Sequence, residues 1–114
     1  MLQQEINDCI QECLACAIAC SHCATECLKE EDVKMLSRCI QLDMECAAMC
    51  RSTAELLNLG SLFSAQLCRI CASACNACAE ECEKHAAMPM EHCRDCAKAC
   101  RRCAVACDEM FLAA

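Results

Sequence analysis

The sequence is dominated by cysteines that recur at helical spacing. Of its 114 residues, 19 are Cys, and in three of their four groups the intervals alternate between three and four residues. Such intervals place side chains on one face of an α-helix. Thiolates are soft ligands that select Cu(I), Zn(II) and iron–sulfur clusters, so this face could bind metal through sulfur. The candidate ligands are Cys9, Cys13, Cys16, Cys20, Cys23, Cys27, Cys39, Cys46, Cys50, Cys68, Cys71, Cys75, Cys78, Cys82, Cys93, Cys96, Cys100, Cys103 and Cys107.

Most of these cysteines form C-x-x-x-C pairs. Eight pairs can be drawn without reusing a residue, and only Cys39, Cys68 and Cys93 are left over. On a helix, the two members of a pair lie about 6 Å apart on one face, which allows two thiolates to hold one ion between them. A disulfide within a pair would be strained, because the two Cα–Cβ vectors run roughly parallel. The pairs therefore favour metal binding.

Among the thiophilic metals, the pattern favours Cu(I). An iron–sulfur cluster needs a loop that wraps four cysteines around it, whereas the C-x-x-C units here lie inside continuous helical periodicity. Structural zinc takes isolated tetrahedral groups of four thiolates, each with a buried charge of about −2. Bridging thiolates with Cu(I) approach one cation per sulfur and near neutrality, so many Cu(I) ions suit a buried sulfur column. The alternatives are a zinc or cadmium buffer, an iron–sulfur protein and a thiol redox protein.

Four long helices must position the cysteines. The charged run from Lys29 to Asp32 interrupts the first stripe, with Asp32 as a possible N-cap, while Gly60 and Ser61 offer a helix-ending glycine and a cap, and Pro89 suits a first helical turn. The predicted helices cover residues 3–29, 33–58, 62–86 and 89–112. Helices of similar length joined by short loops make an all-α, up-down-up-down antiparallel four-helix bundle. We expect one domain over residues 1–114, with a Cys-lined core.

Weaker soft ligands collect at one end of this bundle. His85 continues the third stripe, Met35 continues the second, and His92 adjoins Cys93. The first and third loops of an antiparallel bundle lie at the same end, so these residues should surround an opening, the predicted mouth, that captures Cu(I) transiently. The predicted mouth comprises Cys27, Met35, Cys39, Cys82, His85, Met88, Met90, His92 and Cys93.

The sequence predicts different locations for two polar residues near the cysteine stripes. His22 lies one position off the stripe and should be peripheral. Asp43 falls on the inward stripe, either as a polar ligand or as a boundary residue. The end opposite the predicted mouth should carry an apolar plug of Leu2, Ile6, Leu57, Leu59, Leu62, Phe63, Met110, Phe111 and Leu112.

Apolar rows outside the sulfur face predict self-association. They recur at intervals of four residues on the first two helices and should point away from the bundle axis. Exposed apolar rows of this length need a partner, and padding between adjacent helices is the alternative. The rows are Ile10, Leu14 and Ile18, and then Leu36, Ile40, Met44 and Ala48.

Composition excludes several classes of protein. One Gly and one Pro in the whole chain cannot supply the turns of a disulfide scaffold. The net charge of −7 and the lack of Trp and Tyr argue against nucleic acid as a partner. The apolar runs are shorter than the roughly 20 residues that span a bilayer. The first ten residues show no signal-peptide pattern, so we expect a cytoplasmic protein with reduced thiols.

These motifs resemble those of the copper storage proteins (Csp family). The resemblance covers essentially the whole chain and rests on the repeats CIQEC (9–13), CAIAC (16–20), CATEC (23–27), CAAMC (46–50), CASAC (71–75), CAEEC (78–82), CAKAC (96–100) and CAVAC (103–107). It implies the cytosolic branch of the family, with Cu(I) held by the cysteines, loading through a His- and Met-bearing end, and a homotetramer of bundles. We expect a non-enzymatic store or detoxifying buffer that receives copper from a chaperone or a small thiol. The second helix, with three cysteines, departs from the densest pattern.

Overall fold

The structure, a computed structural model, describes residues 2–86 and 90–113. In that part of the chain α1 spans Gln3–Cys27, α2 spans Ser37–Leu59, α3 spans Ser64–His85 and α4 spans Glu91–Ala113. A short 3₁₀ helix, Val33–Leu36, precedes α2. The predicted all-α bundle is confirmed, and the prediction for Pro89 lies outside the described residues. No helix in the described ranges has the length and apolar content needed to cross a membrane.

Each helix packs against two neighbours. α1 contacts α2 and α4, and α3 also contacts α2 and α4, so the four helices follow one another around a common axis. The bundle measures 45 × 19 × 17 Å. Short connections make sequential helices antiparallel, which brings the loop after α1 and the loop after α3 to the same end.

Gly60 ends α2, as the sequence predicts. Its φ of 68° lies in the left-handed region, which glycine adopts without steric cost. The Gly60 N–H donates to the Leu57 carbonyl at 3.2 Å, and the Ser61 N–H donates to the Leu56 carbonyl at 3.1 Å, the pair of bonds that defines a Schellman motif. Ser61 Oγ accepts a hydrogen bond from the Phe63 N–H at 3.1 Å, and α3 begins only at Ser64, two residues later than predicted.

The inward stripe of α2 begins at Leu36. This side chain is fully buried, whereas Met35 is 43% exposed. The prediction that Met35 continues the stripe and Leu36 faces outward is therefore wrong. Leu36 lies three residues before Cys39, which is one of the two intervals of a helical face, so the stripe reaches Leu36, not Met35, from Cys39. Further along α2 it contains Asp43, Cys46, Cys50, Thr53 and Leu57, all buried.

Buried alanines flank the cysteines on every helix. All but Ala99 occur in pairs seven residues apart, and none is more than 7% exposed. The distance between packed helices depends on the side chains at their contact, so these small residues let the four backbones approach until the sulfurs meet. The pairs are Ala17 and Ala24, Ala47 and Ala54, Ala72 and Ala79, and Ala97 and Ala104.

The end opposite the predicted mouth is closed by fewer apolar residues than expected. Leu57 and Met110 are buried, and Ile6 and Phe111 pack against the core. The Arg69 guanidinium lies 5.3 Å from the centroid of the Phe111 ring. The other predicted plug residues are more than half exposed, so the prediction is wrong for Leu2, Leu59, Leu62, Phe63 and Leu112.

Candidate metal centre

The bundle axis is a continuous column of thiols. All 19 cysteines lie within the described residues, are free thiols, and are at most 1% exposed. Each helix contributes one stripe of them, because its cysteines follow the three- and four-residue intervals of a single helical face. The sulfurs are therefore shielded from water and face one another across the axis.

Sulfurs within the C-x-x-x-C pairs lie at metal-bridging separations. With a metal–sulfur bond of about 2.3 Å, as in zinc thiolates, two sulfurs are ~4.0 Å apart around a trigonal ion and ~4.6 Å apart across a linear one. Five of the pairs match the trigonal value. Their Sγ–Sγ distances are 3.9 Å for Cys16 and Cys20, 3.9 Å for Cys23 and Cys27, 4.0 Å for Cys46 and Cys50, 4.0 Å for Cys71 and Cys75, and 3.9 Å for Cys96 and Cys100.

Sulfurs from different helices gather into groups of four that overlap. Within each group all Sγ atoms lie within 4.8 Å of one another. Cys16 and Cys46 belong to two such groups, and Cys20 and Cys100 also belong to two. The groups include Cys13, Cys71, Cys103 and Cys107; Cys16, Cys46, Cys50 and Cys75; Cys16, Cys20, Cys46 and Cys100; Cys20, Cys78, Cys96 and Cys100; and Cys23, Cys27, Cys39 and Cys93.

Asp43 places a carboxylate inside the sulfur column. Its side chain is fully buried, and its Oδ1 lies 3.1 Å from Cys78 Sγ, 3.3 Å from Cys96 Sγ and 3.6 Å from Cys82 Sγ. Burial, and then the neighbouring charge of Cys82, raise the pKa of the Asp43 carboxyl to about 7. Asp43 is thus an oxygen donor surrounded by thiols of two helices, on the stripe where the sequence places it.

The thiols of the core differ in their pKa values. Burial raises the pKa of the Cys27 thiol, because a thiolate is poorly solvated there. Hydrogen bonds from Cys23 and then Cys39 lower the pKa of Cys82 to about 5. Metal binding requires thiolates and so releases these protons.

His92 faces sulfur at the predicted mouth. Its Nδ1 lies 3.6 Å from Cys93 Sγ, 3.7 Å from Cys23 Sγ and 3.8 Å from Cys27 Sγ. These three cysteines and Cys39 form one group of four sulfurs, which we call the mouth cluster. An imidazole nitrogen at this place could complete the coordination of an ion held by the mouth cluster.

His85 is placed differently from His92. It is buried, and its Nε2 lies 3.1 Å from Glu81 Oε2. The second carboxylate oxygen of Glu81 lies 3.2 Å from Lys84 Nζ and 3.7 Å from Arg38 Nε. His85 therefore belongs to an ion-pair cluster between α2 and α3.

The remaining methionines and His22 differ in their burial. Met90 is partly buried and packs against the core. Met35 is exposed in the 3₁₀ turn, and His22 is exposed on α1, at the periphery where it was predicted. Met88 lies outside the described residues.

Two features of the site were not singled out from the sequence. One is the set of buried alanines, which a search for seven-residue intervals could have found. The other is Glu30, whose Oε1 lies 3.4 Å from His92 Nε2. Glu30 and His92 are 62 residues apart in the chain, and no local pattern joins them.

Comparison with known proteins gives a consistent result. The copper storage protein family profile matches residues 2–112. A cytosolic copper storage protein from Streptomyces lividans, in a structure with five coppers, superposes with a TM-score of 0.92 at 43% identity, over 96% of this chain and 93% of that one. The same protein loaded with 10 copper equivalents also gives a TM-score of 0.92.

Two further proteins are similar to this chain. The Cu(I)-bound copper storage protein BsCsp3 superposes with a TM-score of 0.88 at 42% identity, over 94% of this chain and 98% of that one. A cysteine-rich protein of Bacillus subtilis (strain 168), YhjQ, which is described as uncharacterized, is 42% identical over 69 residues, or 60% of this chain. That alignment spans 64% of the length of YhjQ.

Proposed function

This chain belongs to the copper storage protein family, and from that premise we propose that its bundle stores many Cu(I) ions on the thiolates of its 19 cysteines. The observation that carries the proposal is the overlap of the sulfur groups, in which Cys16, Cys20, Cys46 and Cys100 are each shared by two groups. A shared thiolate can bridge two ions, so the count of Cu(I) approaches the count of sulfurs. The buried column then stays close to neutral.

The same overlap disfavours a zinc or cadmium store. A tetrahedral zinc site uses four thiolates that belong to it alone, and each such site would bury about two negative charges. The pairing distances of 3.9 to 4.0 Å within the helices also suit three-coordinate Cu(I). We therefore place Cu(I), and not Zn(II), on the cysteines.

Loading is proposed to occur at the mouth cluster. His92 would bind Cu(I) through Nδ1 beside Cys23, Cys27 and Cys93. Met90, which packs against the core, and Met35, which is exposed at the same end, would offer thioethers for transient capture. His85, at the end of α3, and Met88, which lies outside the described residues, stay predictions for the same role.

The protein is proposed to act without catalysis, in the cytoplasm, as a homotetramer. The related protein from Streptomyces lividans is described as cytosolic, and reduced thiols are maintained in that compartment. Leu14, Ile18 and Met44 are 40%, 72% and 61% exposed on α1 and α2, and such a patch would be covered by a second copy. Sedimentation velocity measures this assembly directly. A copper chaperone or a small thiol would deliver the metal.

Anaerobic titration of the reduced apo protein with Cu(I) tests storage. We expect saturation near one ion per thiolate, because bridging sulfurs serve two ions each. The His22→Ala variant is a control that should match wild type in both rate and capacity, while His92→Ala should load more slowly with nearly full capacity. Saturation below about four ions per chain would contradict storage, because most thiols would lack a role as ligands.

A further inference from the structure

Glu30 is an acidic residue of the mouth that has no role in the function proposed above. It lies in the loop that follows α1, and its Oε1 is 3.4 Å from Nε2 of His92 on α4. The His92 side chain is 12% exposed and that of Glu30 is 37% exposed. The contact therefore lies at the rim, between the solvent and the sulfur column.

The other ring nitrogen of His92 points inward. Nδ1 is 3.6 Å from Cys93 Sγ, 3.7 Å from Cys23 Sγ and 3.8 Å from Cys27 Sγ. The imidazole is thus held between a carboxylate on its outer edge and three thiols on its inner edge. Rotation of the ring by half a turn would place Cδ2 and Cε1 where Nδ1 and Nε2 now lie and break both sets of contacts.

These contacts determine which nitrogen carries the hydrogen. An ionised carboxylate only accepts hydrogen bonds, so the contact with Glu30 is a hydrogen bond only in the form in which Nε2 carries the hydrogen. In a neutral imidazole of this form, the lone pair is on Nδ1. That lone pair is directed at the mouth cluster, where a ligand for Cu(I) is needed.

We propose that Glu30 is a positioning residue for Cu(I) capture, because it holds His92 in the orientation and tautomer that present Nδ1 to the mouth cluster. Histidines that bind metal through one nitrogen commonly donate the other N–H to a carboxylate, which orients the ring and increases its basicity. Glu30 acts through His92 and does not bind the ion. This inference rests on the proposed function, since it concerns a ligand of the same store.

The second histidine–carboxylate pair, His85 with Glu81, is built differently. Glu81 contacts His85 but also pairs with Lys84 and Arg38, so its carboxylate serves three side chains between α2 and α3. Among the described residues, the only side chain that pairs with the Glu30 carboxylate is His92. Its orienting effect is concentrated on His92.

Cu(I) competition experiments test the proposal. The first equivalents of Cu(I) are offered anaerobically to each variant in the presence of a chromophoric Cu(I) chelator. Glu30→Ala should bind them about 10-fold more weakly and keep the full capacity, and Glu30→Gln, which retains an acceptor oxygen, should recover most of the loss. Glu31→Ala is the matched control, because Glu31 is an exposed neighbour with the same charge.

Two further measurements distinguish an effect of Glu30 on the orientation of His92 from an effect of its negative charge alone. In a His92→Ala background, Glu30→Ala should have no additional effect. Long-range proton–nitrogen NMR correlations of the apo protein should show the His92 hydrogen on Nε2 in wild type, and a mixture of tautomers in Glu30→Ala.

Three results would overturn the role of Glu30. They are an equal loss in Glu30→Ala and Glu31→Ala, an undiminished loss in the His92→Ala background, and a hydrogen on Nδ1 in the wild-type protein. Failure of the storage function appears separately, as low total capacity of the wild type. If the wild type shows full capacity and any of the three results is found, the storage function stands and only the proposed role of Glu30 is contradicted.

Discussion

Asp43 is the residue at which the chemistry of the core departs most from thiol ligation. Its carboxyl is enclosed by Cys78, Cys82 and Cys96 within 3.1 to 3.6 Å. The S–H groups can donate to it, which satisfies a fully buried oxygen that would otherwise be costly. The sequence places Asp43 on the inward stripe by spacing alone, but the identity of its neighbours depends on how three helices meet.

The raised pKa of Asp43 predicts a pH-dependent stability of the apo protein. The pKa rises from an ordinary value of 3.8 to about 7 on folding, so the folded state binds the proton more tightly than the unfolded state. The contribution to stability is complete below pH 4 and is lost as the pH rises to about 7, a change of about 4 kcal/mol. Denaturant unfolding of reduced apo protein across this range should show it.

The Asp43→Asn variant is the control for this prediction. It keeps the size of the side chain and removes its titration, while the titrating groups that do not contact Asp43 contribute equally to both proteins. The difference in unfolding free energy between wild type and Asp43→Asn should therefore vary with pH between 4 and 7. A constant difference would contradict the assignment of the raised pKa to Asp43.

At the scale of the helices, the cysteine intervals are sufficient to predict four inward faces, but they do not predict local deviations from α-helical geometry. At the 3₁₀ turn of Val33–Leu36, Leu36 is buried on the stripe and Met35 is exposed. The pairing of Glu30 with His92 depends on the path of a loop. The periodicity of the cysteines describes regular helices and gives no information about the 3₁₀ turn or about the path of the loop.

The buried alanines set how closely the helices approach, and this predicts the effect of enlarging one of them. Ala79 is fully buried, whereas Ala77 on the same helix is exposed. Ala79→Leu should lower the unfolding free energy by about 1–3 kcal/mol through overpacking, and should also reduce Cu(I) capacity, because the sulfurs near it move apart. Chemical denaturation and Cu(I) titration measure the two effects.

Ala77→Leu provides the comparison at an exposed position. Both substitutions exchange the same two residue types in α3, so their helix propensity terms are equal. We expect wild-type stability and capacity for Ala77→Leu. If both variants lost stability equally, the close approach of the helices would not depend on Ala79.

At the scale of the whole molecule, the bundle has a core that binds metal well and contributes little burial energy. The largest fully buried side chains are Leu36, Thr53 and Asp43, and those that follow are cysteines. A free cysteine behaves as a small hydrophobe, and burial energy scales with the apolar area removed from water. Cross-helix ion pairs such as Arg101 with Glu83, at 2.8 Å, are exposed and add little.

Copper loading should therefore raise the thermal stability of the bundle. Cu(I) binds the assembled thiolates more tightly than the unfolded chain, and free ligand at 100 times its dissociation constant adds about 2.7 kcal/mol. For a domain of this size we expect the melting temperature to rise by about 10 °C. Anaerobic calorimetry of apo and loaded protein measures this, and removal of copper with a chelator should restore the apo value. Equal melting temperatures of the two forms would mean that Cu(I) binds the folded and unfolded chains equally well. The fold would then not preorganise the thiolates for binding.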